Sequence, residues 1–335
     1  MTARDRGGAG QPLLIARDLV KRFRVHGQRG RVHAVDGVSF SVGKAETLGI
    51  VGESGCGKST LARLLLHLVA PDSGELIFDG EQVGAPDGIS RRELFRDAQM
   101  VFQDSHASLN SRMSILATLM FGPRAQGVSR RQARERAERM LAMVGLDPRR
   151  HGAMLPHQLS GGQRQRVNIA RALTLEPRLV IMDEPVSALD KSVEAQVLNL
   201  LLDLKHDLGL TYLFISHDLA VVHHLADRVM VMYLGQVMEV GPADELYRAP
   251  RHPYTRGLLA SRLSMDPALR ITEAPLSGDP PSPIDPPPGC RFAGRCGLVT
   301  AACREVAPVL RPVDGGSSHQ AACHLVPTVP FGALS

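Results

Sequence analysis

The sequence lacks a long apolar run, a dense block of basic residues and an apolar segment at its start. A bilayer-spanning helix needs about 20 consecutive, mostly apolar residues, and no uncharged stretch approaches that length. The opening segment, Met1 to Gln11, is polar and rich in glycine, unlike a secretory signal. We therefore expect a cytoplasmic chain that meets a membrane only through a partner.

Charge and composition exclude few other classes of function. The net charge of +5 comes from 39 basic and 34 acidic residues, and the hydrophobic content is 44%. A basic surface can bind anionic lipid headgroups or nucleic acid. Here the basic residues are dispersed, which favours a mixed, solvated surface and no nucleic-acid partner. A chain of 335 residues can form roughly two domains with a substantial core.

Strands and helices are predicted from periodicity and turn residues. The predicted strands are Leu13–Leu19, Val38–Val42, Glu46–Val51, Glu75–Phe78, Leu179–Met182 and Tyr212–Ile215. A helix is predicted from about Ser59 to Val69, and 71–74 has turn chemistry. Residues 90–158 are mainly helical in pattern, with one apolar face at Ala137, Met140, Leu141 and Val144. Beyond about residue 250, prolines and four cysteines indicate an appendage on a semi-rigid linker.

The segment 52–59, GESGCGKS, fits the phosphate-loop pattern between a predicted strand and a predicted helix. Glycines let backbone N–H groups turn towards phosphate oxygens, and the helix N-terminus adds partial positive charge. Lys58 is expected to reach the β- and γ-phosphates, and Ser59 to bind Mg²⁺. With only five lysines in the chain, chance explains the match poorly. The candidate nucleotide-binding residues here are Gly52, Glu53, Ser54, Gly55, Cys56, Gly57, Lys58, Ser59 and Thr60.

Four further candidate residues lie at the ends of three apolar segments. Asp183 and Glu184 end the segment 179–184, so that Asp183 is expected at the metal and Glu184 at the attacking water. Gln103 is expected to sense Mg²⁺ and this water. His217 is expected to contact the γ-phosphate. The candidate catalytic residues are therefore Glu184, His217 and Gln103, with Ser59, Gln103 and Asp183 as the Mg²⁺ set.

A second glycine-rich helix start lies at 159–163, LSGGQ. Its backbone N–H groups and a serine hydroxyl form an anion-binding tip. The phosphates bound by this chain are already surrounded by the first loop, so the second tip suits a phosphate held by another subunit. Its candidate residues are Ser160, Gly161, Gly162 and Gln163.

In this order the motifs resemble the ATP-binding cassette (ABC) family over about residues 13–245, with the tip at 159–163 as the signature motif of that family. The resemblance implies an α/β fold with a P-loop nucleotidase core, an antiparallel β-subdomain, a helical subdomain and a small irregular cysteine-rich appendage. It also implies two cassettes that enclose two ATP molecules head to tail. The loop 187–190 would carry information across that interface, and Phe23 is the candidate to stack on adenine.

Four segments are similar to ATPases of dipeptide and oligopeptide importers, namely 100–110, 195–200, 233–235 and 252–255. The similarity implies a peripheral subunit on the cytoplasmic face of the membrane. It would pair with a homologous, non-identical ATPase beneath two membrane permeases. An external binding protein would deliver the substrate to these permeases. The expected organisation is a flexible 1–12, a cassette at 13–250 with its helical part at about 104–158, and an extension at 251–335. Lys191, just after the loop 187–190, is a departure, because the family usually has a small apolar residue at this position.

Related importers of nickel, glutathione or oligosaccharides use similar ATPases, so the sequence leaves the cargo open. A soluble cassette protein that acts on DNA or ribosomes is a different class of function. Such proteins usually carry a long coiled-coil insertion or two cassettes, and neither occurs here.

Five, six and nineteen residues lie between successive members of the set Cys290, Cys296, Cys303 and Cys323. Disulfides are disfavoured in a reducing compartment. Zinc suits four thiolates, but the close cysteine pairs common in zinc sites are missing. A [4Fe–4S] cluster tolerates varied spacing, and the resemblance to importer ATPases favours it over zinc or free thiols. Cys56 is interpreted as a packed side chain, with a low-pKa thiolate at the helix start as the alternative.

Overall fold

The computed structural model describes residues 8, 10–25, 27, 29–104, 108–261, 278–279, 281–313 and 318–326. The strands are β1 (Leu14–Arg24), β2 (Arg31–Val42), β3 (Thr47–Val51), β4 (Ser73–Phe78), β5 (Glu81–Gln82), β6 (Ala98–Val101), β7 (Leu179–Asp183), β8 (Thr211–Ile215), β9 (Arg228–Tyr233), β10 (Gln236–Pro242), β11 (Arg311–Pro312) and β12 (Gln320–Ala321). The α-helices are α1 (Lys58–Leu65), α2 (Arg91–Asp97), α3 (Ile115–Ala125), α4 (Arg130–Met143), α5 (Pro148–His151), α6 (Gly161–Leu173), α7 (Lys191–Leu208), α8 (Leu219–Leu225), α9 (Ala243–Arg248), α10 (Pro253–Ala260) and α11 (Ala301–Glu305).

The described residues divide into two compact units. The signature unit is built mainly from the described part of Ile77–Ser216, with Val42–Thr47 and the described residues up to Leu14. The phosphate-loop unit is built from Ile15–Ser41, Leu48–Leu76 and the described part of His217–Ser335. No helix in the described ranges is long and apolar enough to cross a bilayer.

The phosphate-loop unit contains a mixed run of paired strands. β3 pairs in parallel with β9, β9 pairs antiparallel with β10, and the short C-terminal strands β12 and β11 continue antiparallel from β10. Most of β9 is buried, as a strand covered on both faces should be. The C-terminal extension therefore contributes backbone hydrogen bonds to this unit.

The signature unit has a parallel core of β6, β7 and β8. Every residue of β7 and β8 is buried, which confirms the predicted strands at these positions. Ser129 caps the N-terminus of α4, because its hydroxyl accepts a hydrogen bond from the N–H of Gln132. The predicted apolar face is confirmed, because Ala137, Met140, Leu141 and Val144 are all buried.

Several predicted boundaries were wrong. The helix after the phosphate loop ends at Leu65 and not near Val69, because His67 has a left-handed backbone with φ of 52°. The strand β4 starts inside the predicted turn at Ser73. Asp72 accepts hydrogen bonds from the N–H of Arg22 and from Lys21, which fixes the residue before that strand.

His252 precedes α10 and is buried in the phosphate-loop unit. Its Nδ1 accepts a hydrogen bond from the N–H of Tyr254 at 3.0 Å. Burial lowers the pKa of His252 to about 4, and the charge of Arg256 acts in the same direction, whereas Glu239 and the Ala322 backbone oppose it. The neutral imidazole is therefore part of the folded state.

This burial predicts an acid-sensitive stability. The unfolded chain gains a proton on His252 near pH 6.5, but the folded chain does so only near pH 4. The free energy of unfolding should therefore fall as the pH drops through this window, by up to about 3 kcal/mol. Urea unfolding of wild type and His252→Asn at several pH values measures it, since asparagine keeps an acceptor for the Tyr254 N–H. An equal loss in both proteins would contradict the assignment.

Candidate functional site

The loop at 52–57 joins β3 to α1 in the phosphate-loop unit. Its glycines are required by close backbone contacts. A β-carbon on Gly52 would lie 2.2 Å from the carbonyl oxygen of Met232, and one on Gly57 would lie 1.9 Å from that of Ala34. Gly57, with φ of 108°, stands immediately before the helix. The loop is therefore held close to neighbouring backbone, in a form that other residues cannot adopt.

Lys58 is the first residue of α1, and its side chain is buried. Its Nζ donates hydrogen bonds to the carbonyl oxygens of Gly52 at 2.7 Å and Glu53 at 3.0 Å. The loop thus curves around one positive charge, and the expected contact of Lys58 with phosphates stays a prediction. Ser59 and Thr60 follow in the first turn of the same helix.

Two residues of the C-terminal extension hold Glu53. Its N–H donates to the hydroxyl of Tyr254 at 3.0 Å, and its carboxylate accepts several hydrogen bonds from Arg295 at 2.8–3.1 Å. Tyr254 is fully buried and packs against Tyr233 and Phe292. Glu53 is a predicted site residue, but no local signal in the sequence points to these two partners.

The signature unit places the predicted carboxylates at the end of β7. Asp183 is the last strand residue and is buried. Glu184 follows with φ of 48°, and its N–H donates to the carbonyl of Ile215 at 2.9 Å. Gln103 Nε2 donates to Glu184 Oε2 at 2.9 Å. Two of the three predicted catalytic residues therefore contact each other directly.

The second glycine-rich tip begins α6 with a reciprocal cap. The N–H of Gln163 donates to Ser160 Oγ at 3.3 Å, and the N–H of Ser160 donates to Gln163 Oε1 at 3.0 Å. This capping box fixes the first turn. The hydroxyl of Ser160 retains its own proton for donation to an anion.

The loop after Glu184 is tied back to it. Ser187 Oγ donates to the carbonyl oxygen of Glu184 at 3.1 Å. Asp190 precedes α7, and Lys191 pairs with Glu194 at 2.9 Å while its side chain is 78% exposed. Lys191 is therefore a solvated lysine within this chain.

Two family profiles match the chain. The profile described as ABC transporter covers residues 35–187, and the profile described as oligopeptide/dipeptide transporter, C-terminal region, covers residues 238–303.

The chain is also similar to curated proteins along nearly its whole length. It is 47% identical to a putative peptide import ATP-binding protein of Brucella ovis, over 93% of this chain and 97% of the relative. It is 46% identical to the di/tripeptide transport ATP-binding protein DppF of Pseudomonas aeruginosa, over 94% of this chain and 98% of the relative. The dipeptide transport ATP-binding protein DppF of Escherichia coli is 47% identical, over 91% and 92%. The chain belongs to the ABC transporter family.

Solved structures support the same fold. CbiO1 from Clostridium perfringens, part of the ABC transporter complex CbiONQ, matches with a TM-score of 0.62 and 28% identity over 71% of this chain and 91% of that one. The cassette MJ0796, a dimer in a post-hydrolysis state bound to ADP and Pi, matches with a TM-score of 0.60 and 27% identity. The match covers 69% of this chain and 98% of that one. The predicted α/β cassette fold is confirmed.

The remaining predicted residues of the ABC site lie at element ends. Phe23 stands near the end of β1, is 40% exposed and has the Lys21 ammonium 5.7 Å from its ring centre. His217 lies exposed between β8 and α8. Their expected contacts with adenine and γ-phosphate stay predictions.

Cys56 is buried, and this burial raises the pKa of its thiol. The alternative of a reactive low-pKa thiolate is therefore wrong. The helix N-terminus favours a thiolate, but removing the sulfur from water opposes ionisation more strongly. Cys56 is a packed side chain of the ABC phosphate loop.

The four C-terminal cysteines line one pocket of the phosphate-loop unit, together with His252 and Phe292. Burial raises the pKa of Cys290 to about 11, and it also raises the pKa of Cys296 and Cys323. Across the described ranges, no group of three or more histidine, cysteine, aspartate or glutamate side chains is arranged to hold a metal ion. The donor chemistry suits a metal or cluster, but the thiol positions do not form a preorganised ligand set.

The glycines of the ABC signature give a matched stability test. A β-carbon at Gly162 would lie 2.5 Å from Val193 Cγ1, whereas one at Gly161 would lie 3.9 Å from its nearest neighbour, Leu189 Cδ2. Gly162→Ala should lower the free energy of unfolding by about 1–3 kcal/mol through overpacking, and Gly161→Ala should not. Val193→Ala should largely relieve the first defect. Equal stability of the two alanine variants in urea would contradict this contact.

Proposed function

We propose that this chain hydrolyses ATP to power import of dipeptides and oligopeptides through a membrane transporter. The observation that carries the proposal is the similarity to peptide-import ATP-binding proteins along both the cassette and the C-terminal region. The proposed organisation is an ATPase domain at 13–250, its helical part at about 104–158, and an extension at 251–335.

We assign the steps of hydrolysis to separate side chains. Lys58 binds the β- and γ-phosphates, and Phe23 stacks on adenine. Ser59, Gln103 and Asp183 supply oxygen ligands for Mg²⁺, which neutralises phosphate charge when bound. The contact of Gln103 with Glu184 supports a shared task, because an amide that fixes the carboxylate also fixes the water that the carboxylate orients. His217 contacts the γ-phosphate.

The signature tip acts on the nucleotide of a partner ATPase. The capping box of Ser160 and Gln163 supports this role, because it holds a helix N-terminus in a fixed form. We propose a homologous, non-identical partner, two permeases and an external peptide-binding protein. The site of action is the cytoplasmic face of the membrane, where the chain is peripheral.

Glu184→Gln should lower ATPase activity by about 100-fold or more while MgATP binding is retained, because glutamine keeps the shape but cannot accept a proton. Glu176→Gln is the matched control: Glu176 also has a left-handed backbone but pairs with Arg136 and Arg139. Phosphate release and equilibrium dialysis with MgATP measure the two effects. Cells that carry only Glu184→Gln should lose peptide uptake. Full peptide uptake without this subunit would refute the import function.

We further propose that Cys290, Cys296, Cys303 and Cys323 hold a [4Fe–4S] cluster, with zinc as the alternative. Their common pocket supports the proposal, because it brings four sulfur donors together. Burial raises the pKa of three of these thiols, so a bound cation has to stabilise the thiolates against this effect. Because the described thiols are not preorganised, their side chains reorient when the group is inserted. The bound group stabilises the extension and takes no part in hydrolysis.

Anaerobically purified protein should contain iron and acid-labile sulfide in stoichiometric amounts. Cys303→Ser should lose most of both, because it removes one of four ligands. Cys56→Ala is the control, since Cys56 lies outside this pocket and should leave the iron content unchanged. Stoichiometric zinc without sulfide would end the cluster proposal in favour of zinc.

A further inference from the structure

Glu53 places a negative charge within a loop that binds a polyanion. It is the second residue of the phosphate loop, between Gly52 and Ser54, and its own carbonyl oxygen contacts the Lys58 ammonium. A carboxylate with free access to a bound triphosphate lowers affinity by like-charge repulsion. The loop therefore needs a way to neutralise this side chain or direct it elsewhere.

Arg295 meets this need. Its Nη1 lies 2.8 Å from Glu53 Oε2 and 3.1 Å from Oε1, and its Nη2 lies 3.1 Å from Oε1. The Arg295 side chain is only 7% exposed and that of Glu53 is 23% exposed. Forked contacts of this kind between arginine and carboxylate are directional and stronger than a solvated ion pair.

The backbone of Glu53 is held from the same side. Tyr254 accepts the Glu53 N–H, and its ring centre lies 4.6 Å from that of Tyr233 and 5.4 Å from that of Phe292. The guanidinium carbon of Arg295 also lies over the Tyr233 ring, 5.9 Å from the centre of that ring. Side chain and main chain of Glu53 are thus both tied to residues outside the loop.

Arg295 stands in the cysteine-containing segment. It ends a short 3₁₀ turn at Ala293–Arg295, directly before Cys296. Its neighbour in that segment, Arg291, binds Asp36 and the carbonyl of Leu234 and does not touch Glu53 in the contacts described. Of the two extension residues that hold Glu53, Arg295 is therefore the one that belongs to the cysteine-containing segment, and it is the one that binds the carboxylate.

We propose that Arg295 is a positioning residue for nucleotide binding, which neutralises Glu53 and holds its carboxylate away from the triphosphate. Through it the cysteine-containing extension sets the affinity of the phosphate loop for MgATP. The inference rests on the proposed role of residues 52–60 as the ATP site.

The test measures MgATP binding to the full-length, anaerobically purified chain in a Glu184→Gln background, so that the probe is not consumed. Arg295→Ala should raise the dissociation constant about tenfold, because the uncompensated carboxylate of Glu53 then repels the phosphates. Arg295→Lys keeps the charge but not the two-pronged contact, so its dissociation constant should lie between those of the parent protein and Arg295→Ala. The defect should shrink at high salt, because screening weakens the repulsion.

A double substitution separates charge compensation from simple support of the fold. When Glu53→Gln is added to Arg295→Ala, the dissociation constant should return to within about twofold of that of Glu53→Gln alone. Arg291→Ala is the control: it removes another buried guanidinium of the segment, and its effect should not depend on residue 53. Unchanged binding in Arg295→Ala, or a defect that Glu53→Gln does not relieve, would overturn the inference.

Lys58→Ala separates a failure of the proposed nucleotide site from a failure of the proposed role of Arg295. Loss of MgATP binding in this variant supports the proposed nucleotide site whatever Arg295 does. Normal binding in Lys58→Ala would instead remove the site itself, and the inference with it.

Discussion

The buried ammonium of Lys58 determines how the phosphate loop is built. A lysine charge that is only 5% exposed must be compensated by nearby acceptors. The carbonyls of Gly52 and Glu53 supply them, so the loop must curve around Nζ. Phosphate oxygens are stronger acceptors than carbonyls because they carry charge. Glu53 thus binds the Lys58 ammonium through its carbonyl oxygen, while its carboxylate pairs with Arg295.

Much of the site could be predicted because its causes are local or follow from strand order. Gln103 lies just beyond β6 and Glu184 directly follows β7, two parallel neighbours. Carboxyl ends of parallel strands share one edge, so order along the chain brings the two side chains near each other. The capping box of Ser160 and Gln163 likewise needs only a spacing of three residues.

What could not be predicted depends on distant partners or on burial. Tyr254 and Arg295 are 201 and 242 residues from Glu53, and periodicity carries no information over such separations. The alternative for Cys56 failed for a related reason, because a helix start is visible in the sequence but the loss of water around the sulfur is not. The linker pattern also gave no sign that β12 pairs with β10.

Glu184 shows how a strained backbone can serve two adjacent carboxylates. Along a strand, Asp183 and the next residue would point to opposite faces. The left-handed φ of 48° at Glu184 ends that alternation, at a cost of about 1–3 kcal/mol for a residue with a side chain. The cost is sustained because its N–H bonds to Ile215, its carbonyl accepts from Ser187 and its carboxylate accepts from Gln103. Glycine would relieve the strain but remove the carboxylate, so the strain persists at the proposed proton acceptor, directly after the aspartate proposed to bind Mg²⁺.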